Sequence, residues 1–190
     1  MLEDAHAFHI HHNYFTTGYA IEFVRNCVEI DHNLFDFDAE KDGGNLISGF
    51  GKAAAPGPAK FHNNLVSNPG RGVIWINEPY GEFEVRNNHI ITRTTPTPRK
   101  EGLFSFRSED NFEKLVIRNN IVECIGLSRP LLRNEAMYAA NVKDNELTNV
   151  SDADRFSPPT GKAGLEEPLK FKCGVHDEFQ VDGWKFSSAE

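Results

Sequence analysis

Apolar and polar positions alternate through six stretches of this chain, and each stretch closes on an asparagine. Aligned on Asn13, Asn33, Asn64, Asn88, Asn120 and Asn145, the position three residues earlier holds Ile10, Ile30, Phe61, Val85, Ile117 and Val142. The position five residues earlier holds Phe8, Val28, Ala59, Phe83, Leu115 and Ala140. Between these columns stand His9, Glu29, Lys60, Glu84 and Asn141, with Val116 the exception, and then His11, Asp31, His62, Arg86, Arg118 and Lys143. A period of two marks a strand with one buried face. Helical spacing would have scattered both columns.

The anchors are 20, 31, 24, 32 and 25 residues apart, a recurrence that signals stacked repeats. Asparagine tolerates left-handed backbone better than most residues, so a turn is predicted there, and its amides can form a ladder. Two residues later Phe15, Phe35, Val66, Ile90, Val122 and Leu147 return to the interior. A further strand is legible in Gly72-Val-Ile-Trp-Ile-Asn77, Gly102-Leu-Phe-Ser-Phe-Arg107 and Tyr19-Ala-Ile-Glu-Phe23, with weaker versions at 45–48 and 130–133. Strand, turn and new strand in every repeat describe a coil, not a hairpin.

With these features the chain resembles the right-handed parallel β-helix repeat proteins of the pectate-lyase-like superfamily, over roughly residues 7 to 150. The resemblance implies an all-β solenoid of about six coils. Residues 1–150 form the coils, and 151–190 form an excursion and a C-terminal cap in which Phe171, Phe179, Val181, Trp184 and Phe186 cover the last coil. The first pattern starts at Phe8 without a preceding amphipathic cap, which predicts a fragment of a longer β-helix and self-association through an uncapped N-terminal coil. The resemblance further implies an extracellular or periplasmic protein acting on an acidic polysaccharide. Sharper motifs depart from the family. Val73-Ile-Trp-Ile-Asn77 runs on into Glu78 rather than Asp-His, and Arg129-Pro-Leu-Leu-Arg133 is one residue shorter than the lyase Arg-x-Pro-x-x-Arg segment. The polygalacturonase and alginate-epimerase signatures are absent.

Charge and cysteine narrow the classes. A formal net charge of −8 over 190 residues disfavours a nucleic-acid partner. No apolar run is long enough for a membrane span. Cys27, Cys124 and Cys173 form neither a zinc pattern nor a complete disulfide framework.

Four groups of residues are candidates for chemistry. The outward column His62, Arg86, Arg118 and Lys143 would bring like charges about 4.8 Å apart on successive coils. It is either a solvated structural face or a contact for a polyanion, and Glu84 can pair with Arg86. A second face carries Glu22, Trp75, Asn77, Ser105, Arg107 and Arg133, combining a ring for sugar stacking with guanidinium groups for carboxylates. It is the preferred substrate groove unless a loop such as 53–58 or 94–100 covers Trp75. Asp36, Asp38, Glu40 and Asp42, in a loop that ends in glycines, suit calcium or a plain acidic surface loop. The cluster His6, His9, His11 and His12 opens the chain, and His9 and His11 share a strand face that suits a transition metal.

The expected function is β-elimination on an acidic polysaccharide. Arg107 and Arg133 are the catalytic candidates, while Trp75, Asn77, Glu22, Ser105, Arg86 and Arg118 bind substrate. Calcium is the candidate cofactor, and no cofactor at all is the alternative. A non-catalytic carbohydrate-binding or structural module is one alternative. A glycoside hydrolase is another, and it would need two carboxylates such as Glu22 and Glu78 across the groove.

Overall fold

The computed structural model describes residues 7–16, 21–23, 27–37, 45–49, 59–76, 82–93, 102–106, 114–133, 140–173 and 177–181. Numbering strands along the chain, a first parallel sheet stacks β1 (Ala7–His11), β4 (Cys27–Asp31), β7 (Ala59–His62), β10 (Glu82–Arg86), β13 (Lys114–Arg118) and β16 (Ala140–Lys143) in chain order. A second sheet stacks β2 (Tyr14–Phe15), β5 (Leu34–Asp36), β8 (Leu65–Ser67), β11 (His89–Arg93), β14 (Ile121–Ile125) and β17 (Glu146–Thr148). A third stacks β3 (Ile21–Phe23), β6 (Asn45–Gly49), β9 (Gly72–Ile76), β12 (Phe104–Phe106) and β15 (Leu132–Arg133). The described chain is therefore all-β, with three parallel sheets of stacked strands, an arrangement compatible with a β-helix solenoid. One strand from each sheet makes a rung.

The asparagine alignment is also the spatial register. Phe8 pairs with Val28, Ile30 with Phe61, Val85 with Ile117 and Ile117 with Val142. The inward columns of all three sheets meet in one core that includes Phe35, Phe61, Ile74, Phe83, Ile90, Phe104 and Ile117. Phe15 stacks on Phe35 at 4.8 Å between ring centres, so like residues sit on like residues from rung to rung. Each strand thus buries its period-two apolar set against two other sheets, which offsets the entropy of ordering short strands.

The corner between the first and second sheets is built from two residues. The first takes the left-handed conformation: His12, His32, Asn63, Asn87, Asn119 and Asp144, with φ from 51° to 55°. The second is the anchor asparagine, whose amide turns inward and stacks. Asn88 shows the pattern: its Nδ2 donates to Phe61 O at 3.0 Å, Arg86 O at 2.9 Å and Asn120 Oδ1 at 2.9 Å. Its Oδ1 accepts from the backbone N–H of Asn64 at 2.9 Å. The same amide-to-amide bond joins Asn13 to Asn33, Asn33 to Asn64, Asn64 to Asn88 and Asn120 to Asn145. The anchors Asn33, Asn64, Asn88, Asn120 and Asn145 are buried, so the ladder satisfies polar groups that would otherwise be stranded in the core. The left-handed turn was expected at the anchor itself; it falls one residue earlier because the anchor's backbone must aim its amide inward.

Residues 160–169 run back along this corner from the sixth rung to the second. Thr160 N and Oγ1 bond Asp144 Oδ1 at 3.1 and 2.5 Å. Gly164 N donates to Asn119 O at 2.8 Å, and Gly164 O accepts from Asn87 Nδ2 at 3.3 Å. Gly164 has φ +88°, and a Cβ there would lie 2.6 Å from Ile121 Cδ1, so only glycine lets the strap approach so closely. Glu166 N then donates to Asn63 Oδ1 at 2.7 Å, and Leu169 packs with Leu34 and Leu65 on the outer side of the second sheet. Leu169 opens β18 (Leu169–Cys173), which pairs antiparallel with β19 (Asp177–Val181). The predicted excursion is thus a strap along the flank, and the hairpin starts beside the second and third rungs rather than over the last one. The side chains of Phe171, Phe179 and Val181, and residues Trp184 and Phe186, which were expected to cap the last coil, lie outside the described residues.

Candidate functional site

Among the described residues, the densest polar chemistry lies on the outward face of the first sheet, where β1, β4 and β7 adjoin. The period-two pattern sends Glu29 and Asp31 of β4 outward together, and parallel register sets His9 beside Glu29 and His62 beside Asp31. His62 Nε2 lies 2.9 Å from Glu29 Oε1 and 3.7 Å from Asp31 Oδ2. His9 Nε2 lies 3.0 Å from both oxygens of Asp31. His32, from the following corner, places Nδ1 3.5 Å from Asp31 Oδ1 and Nε2 2.8 Å from Glu167 Oε1 on the strap. Asp31 and His62 are each 7% exposed.

The electrostatics keep both carboxylates ionised. The hydrogen bond from His62 holds the Glu29 carboxyl below its ordinary range, against its partial burial and helped by Lys60 at 3.9 Å. Burial works against ionisation of Asp31, but the hydrogen bond from His9 and the charges of His9 and His32 prevail and hold it below its usual value. An ionised Glu29 only accepts, so Nε2 of His62 carries the shared proton. Its Nδ1 is buried and has no hydrogen-bond partner among the described residues. His9 and His11, expected to share a strand face, stack with ring centres 4.3 Å apart, while His9 Nε2 bonds Asp31 and His11 Nδ1 lies 2.9 Å from His12 Nδ1. Desolvation and the neighbouring His32 and His11 push the His12 imidazole down. His6 lies outside the described residues.

Further along the same face two members of the basic column, Arg86 and Arg118, are already paired. Arg86 Nη1 binds Glu166 Oε1 of the strap at 2.7 Å and its Nε approaches Glu84 at 3.5 Å. Arg118 Nη2 reaches the same Glu84 at 3.0 Å. A single carboxylate thus sits between two guanidinium groups on adjacent rungs, which relieves the like-charge repulsion of the column.

The third sheet brings together part of the predicted groove. Glu22 registers with Ser48, Ser48 with Trp75, Trp75 with Ser105 and Ser105 with Arg133. One outward column therefore carries all four of the described groove residues predicted on this sheet. Trp75 and Arg133 are half-buried and Ser105, between them, is buried at 4% exposure. Nothing is described of the Glu22 side chain, and Asn77 and Arg107 lie outside the described residues. Of the predicted calcium loop only Asp36 is described, with Tyr14 Oη 3.4 Å from its Oδ2; Asp38, Glu40 and Asp42 lie outside.

The sequence reading did not group Glu29 and Asp31 with His62. The signal was present, because all three occupy outward positions of adjacent repeats. No membrane-length apolar helix occurs among the described residues. Compared with known families, characterised proteins and solved structures, the chain matches no family model, no curated protein and no solved structure.

Proposed function

We propose that this chain is part of a right-handed parallel β-helix of the pectate-lyase-like kind that acts on an extracellular acidic polysaccharide by β-elimination. The observation that carries this reading is the single outward column of Trp75, Ser105 and Arg133 on the third sheet. Trp75 and Arg133 are two strand spacings apart, about 10 Å, a span that a sugar ring and the carboxylate of a linked uronate can bridge. The indole face gains by covering a pyranose ring, and the guanidinium binds a carboxylate through two parallel hydrogen bonds. Neutralising that carboxylate acidifies the C5 proton. A basic group, for which Arg107 is the candidate, takes this proton; the C4–O bond breaks, and the leaving oxygen is protonated as the C4=C5 double bond forms.

The test incubates the chain with a panel of uronate polymers, with and without calcium, and follows ultraviolet absorbance of the unsaturated product. A rise that Arg133→Ala abolishes supports elimination, and Trp75→Ala should raise KM. A flat trace across the panel refutes it. The pairing of Arg86 and Arg118 with acids favours a second reading, a non-catalytic module. That reading predicts salt-sensitive retention on immobilised polyuronate without any product.

A further inference from the structure

We propose that Glu29, Asp31 and His62 form a binding site for a first-row transition dication of the zinc type, on a face separate from the proposed saccharide groove. One ligand atom from each of the three residues lies within 4.8 Å of the others. Zinc bonds of about 2.0 to 2.2 Å in tetrahedral geometry require ligand atoms roughly 3.3 to 3.6 Å apart. The observed His62–Glu29 and His62–Asp31 separations of 2.9 and 3.7 Å straddle that value, and the Glu29 and Asp31 ligand atoms lie within 4.8 Å, so side-chain adjustment alone converts the cluster into three sides of a coordination shell.

Charge points the same way. Glu29 accepts the proton that His62 Nε2 carries, and Asp31 Oδ2 lies 3.7 Å from the same nitrogen, in a site where Asp31 and His62 are buried. A dication in place of that proton neutralises both acids. Around the three ligands stands a supporting set. His9 bonds both oxygens of Asp31, and His32 links Asp31 to Glu167 of the strap. Such outer contacts fix ligand orientation and tune affinity. The donor set selects the class of cation. Calcium wants six to eight oxygens at about 2.3 to 2.6 Å, whereas one imidazole with two carboxylates suits zinc, cobalt or manganese. Glu29, 40% exposed at its side chain, leaves a side of the site open to solvent, so a fourth position is available to water or a ligand.

The test uses the full chain and Co2+ as a spectroscopic probe, with Zn2+ competition and calorimetric stoichiometry. One ion per chain is expected, with visible bands of a four- or five-coordinate site. Glu29→Gln, nearly isosteric at a half-exposed position, and His62→Gln should each weaken binding about a hundred-fold. His9→Asn, which touches only the outer contacts, should cost roughly ten-fold. Circular dichroism and urea unfolding of each variant separate loss of ligand from loss of fold. The double variant His11→Ala/His12→Ala should bind as the parent does. Binding that survives Glu29→Gln and His62→Gln but disappears with His11 and His12 would assign the ion to the N-terminal histidines and overturn the proposal. So would purely octahedral cobalt spectra unchanged by Glu29→Gln.

Discussion

Replacing Asn88 by alanine removes one interior link of the amide ladder, and the structure lets the cost be counted. The Asn88 amide makes five contacts. Its Nδ2 meets two backbone carbonyls and the next amide, and its Oδ1 meets Asn64 N at 2.9 Å and Asn64 Nδ2 at 3.1 Å. Most of these partners retain another bond. Asn120 Oδ1 keeps Asn88 N, Arg86 O keeps Asn63 N, and Asn64 Nδ2 keeps Ile30 O and His62 O. The backbone N–H of Asn64 loses the acceptor it has here, in a site where Asn64 and Asn88 are both 0% exposed. A stranded buried donor costs about 1–3 kcal/mol, and the remaining lost bonds add about 1 kcal/mol more. We expect Asn88→Ala to lower the unfolding free energy by about 3 kcal/mol, or the melting temperature by roughly 6–12 °C at this chain length. Asn13→Ala is the internal control. Asn13 is exposed, and Asn33 Oδ1 keeps the backbone N–H of residue 13 after the change, so the cost should stay under about 1 kcal/mol. Reversible urea unfolding followed by far-ultraviolet circular dichroism measures both. Equal costs, or an Asn88→Ala penalty as small as the control, would refute the claim that the ladder holds the rungs together through satisfied buried groups.

Glu84→Gln leaves Arg86 and Arg118 without their shared carboxylate, and because these side chains are partly exposed the loss should be only about 0.5–1 kcal/mol, shrinking further in 1 M salt, as salt-dependent melting will show. Gly102→Ala drives a Cβ to 2.4 Å from Arg133 N and Leu132 C, so it should cost about 2–3 kcal/mol in urea unfolding and displace the β12–β15 pairing that aligns Ser105 with Arg133. Burial pushes the Cys124 thiol above its ordinary value, so peptide mapping after iodoacetamide at pH 8.5 should find Cys124 unmodified in the native chain and labelled in urea. The sign follows from the same shift. The folded chain keeps this proton where the unfolded chain loses it, so the thiol's contribution is complete below the unfolded value and is lost as pH rises through the folded one. Native stability should therefore fall above about pH 9, and a Cys124→Ala variant should show less of that fall.

Much of the architecture is legible in the residues because strand alternation and register are the same information here. A column read down the aligned repeats, such as Val28, Ala59, Phe83 and Leu115, is a column of paired Cα atoms in space. The groove column of Glu22, Trp75, Ser105 and Arg133 follows from the same rule. What it misses is diagonal or distant. His62 meets Glu29 one rung away and two residues along the strand from its register partner Asp31, a contact no single column contains. The strap has no periodicity of its own, and its bonds from Glu166 to Asn63 and from Glu167 to His32 join residues more than a hundred positions apart. The burial of Ser105 is a further case, since alternation gives the side a residue faces but not how deeply it is covered there.

The asparagine ladder also has a sense of direction. Each amide-to-amide bond in the row runs from the Nδ2 of one rung to the Oδ1 of the following rung, from Asn13 to Asn33, on through Asn64, Asn88 and Asn120, to Asn145. The amide dipoles therefore add along the stack as peptide dipoles add along a helix. A rung added in front must arrive with a donor and a rung added behind with an acceptor, so the stack grows head to tail and never head to head. The row is a polarised thread, and its two ends are chemically unlike.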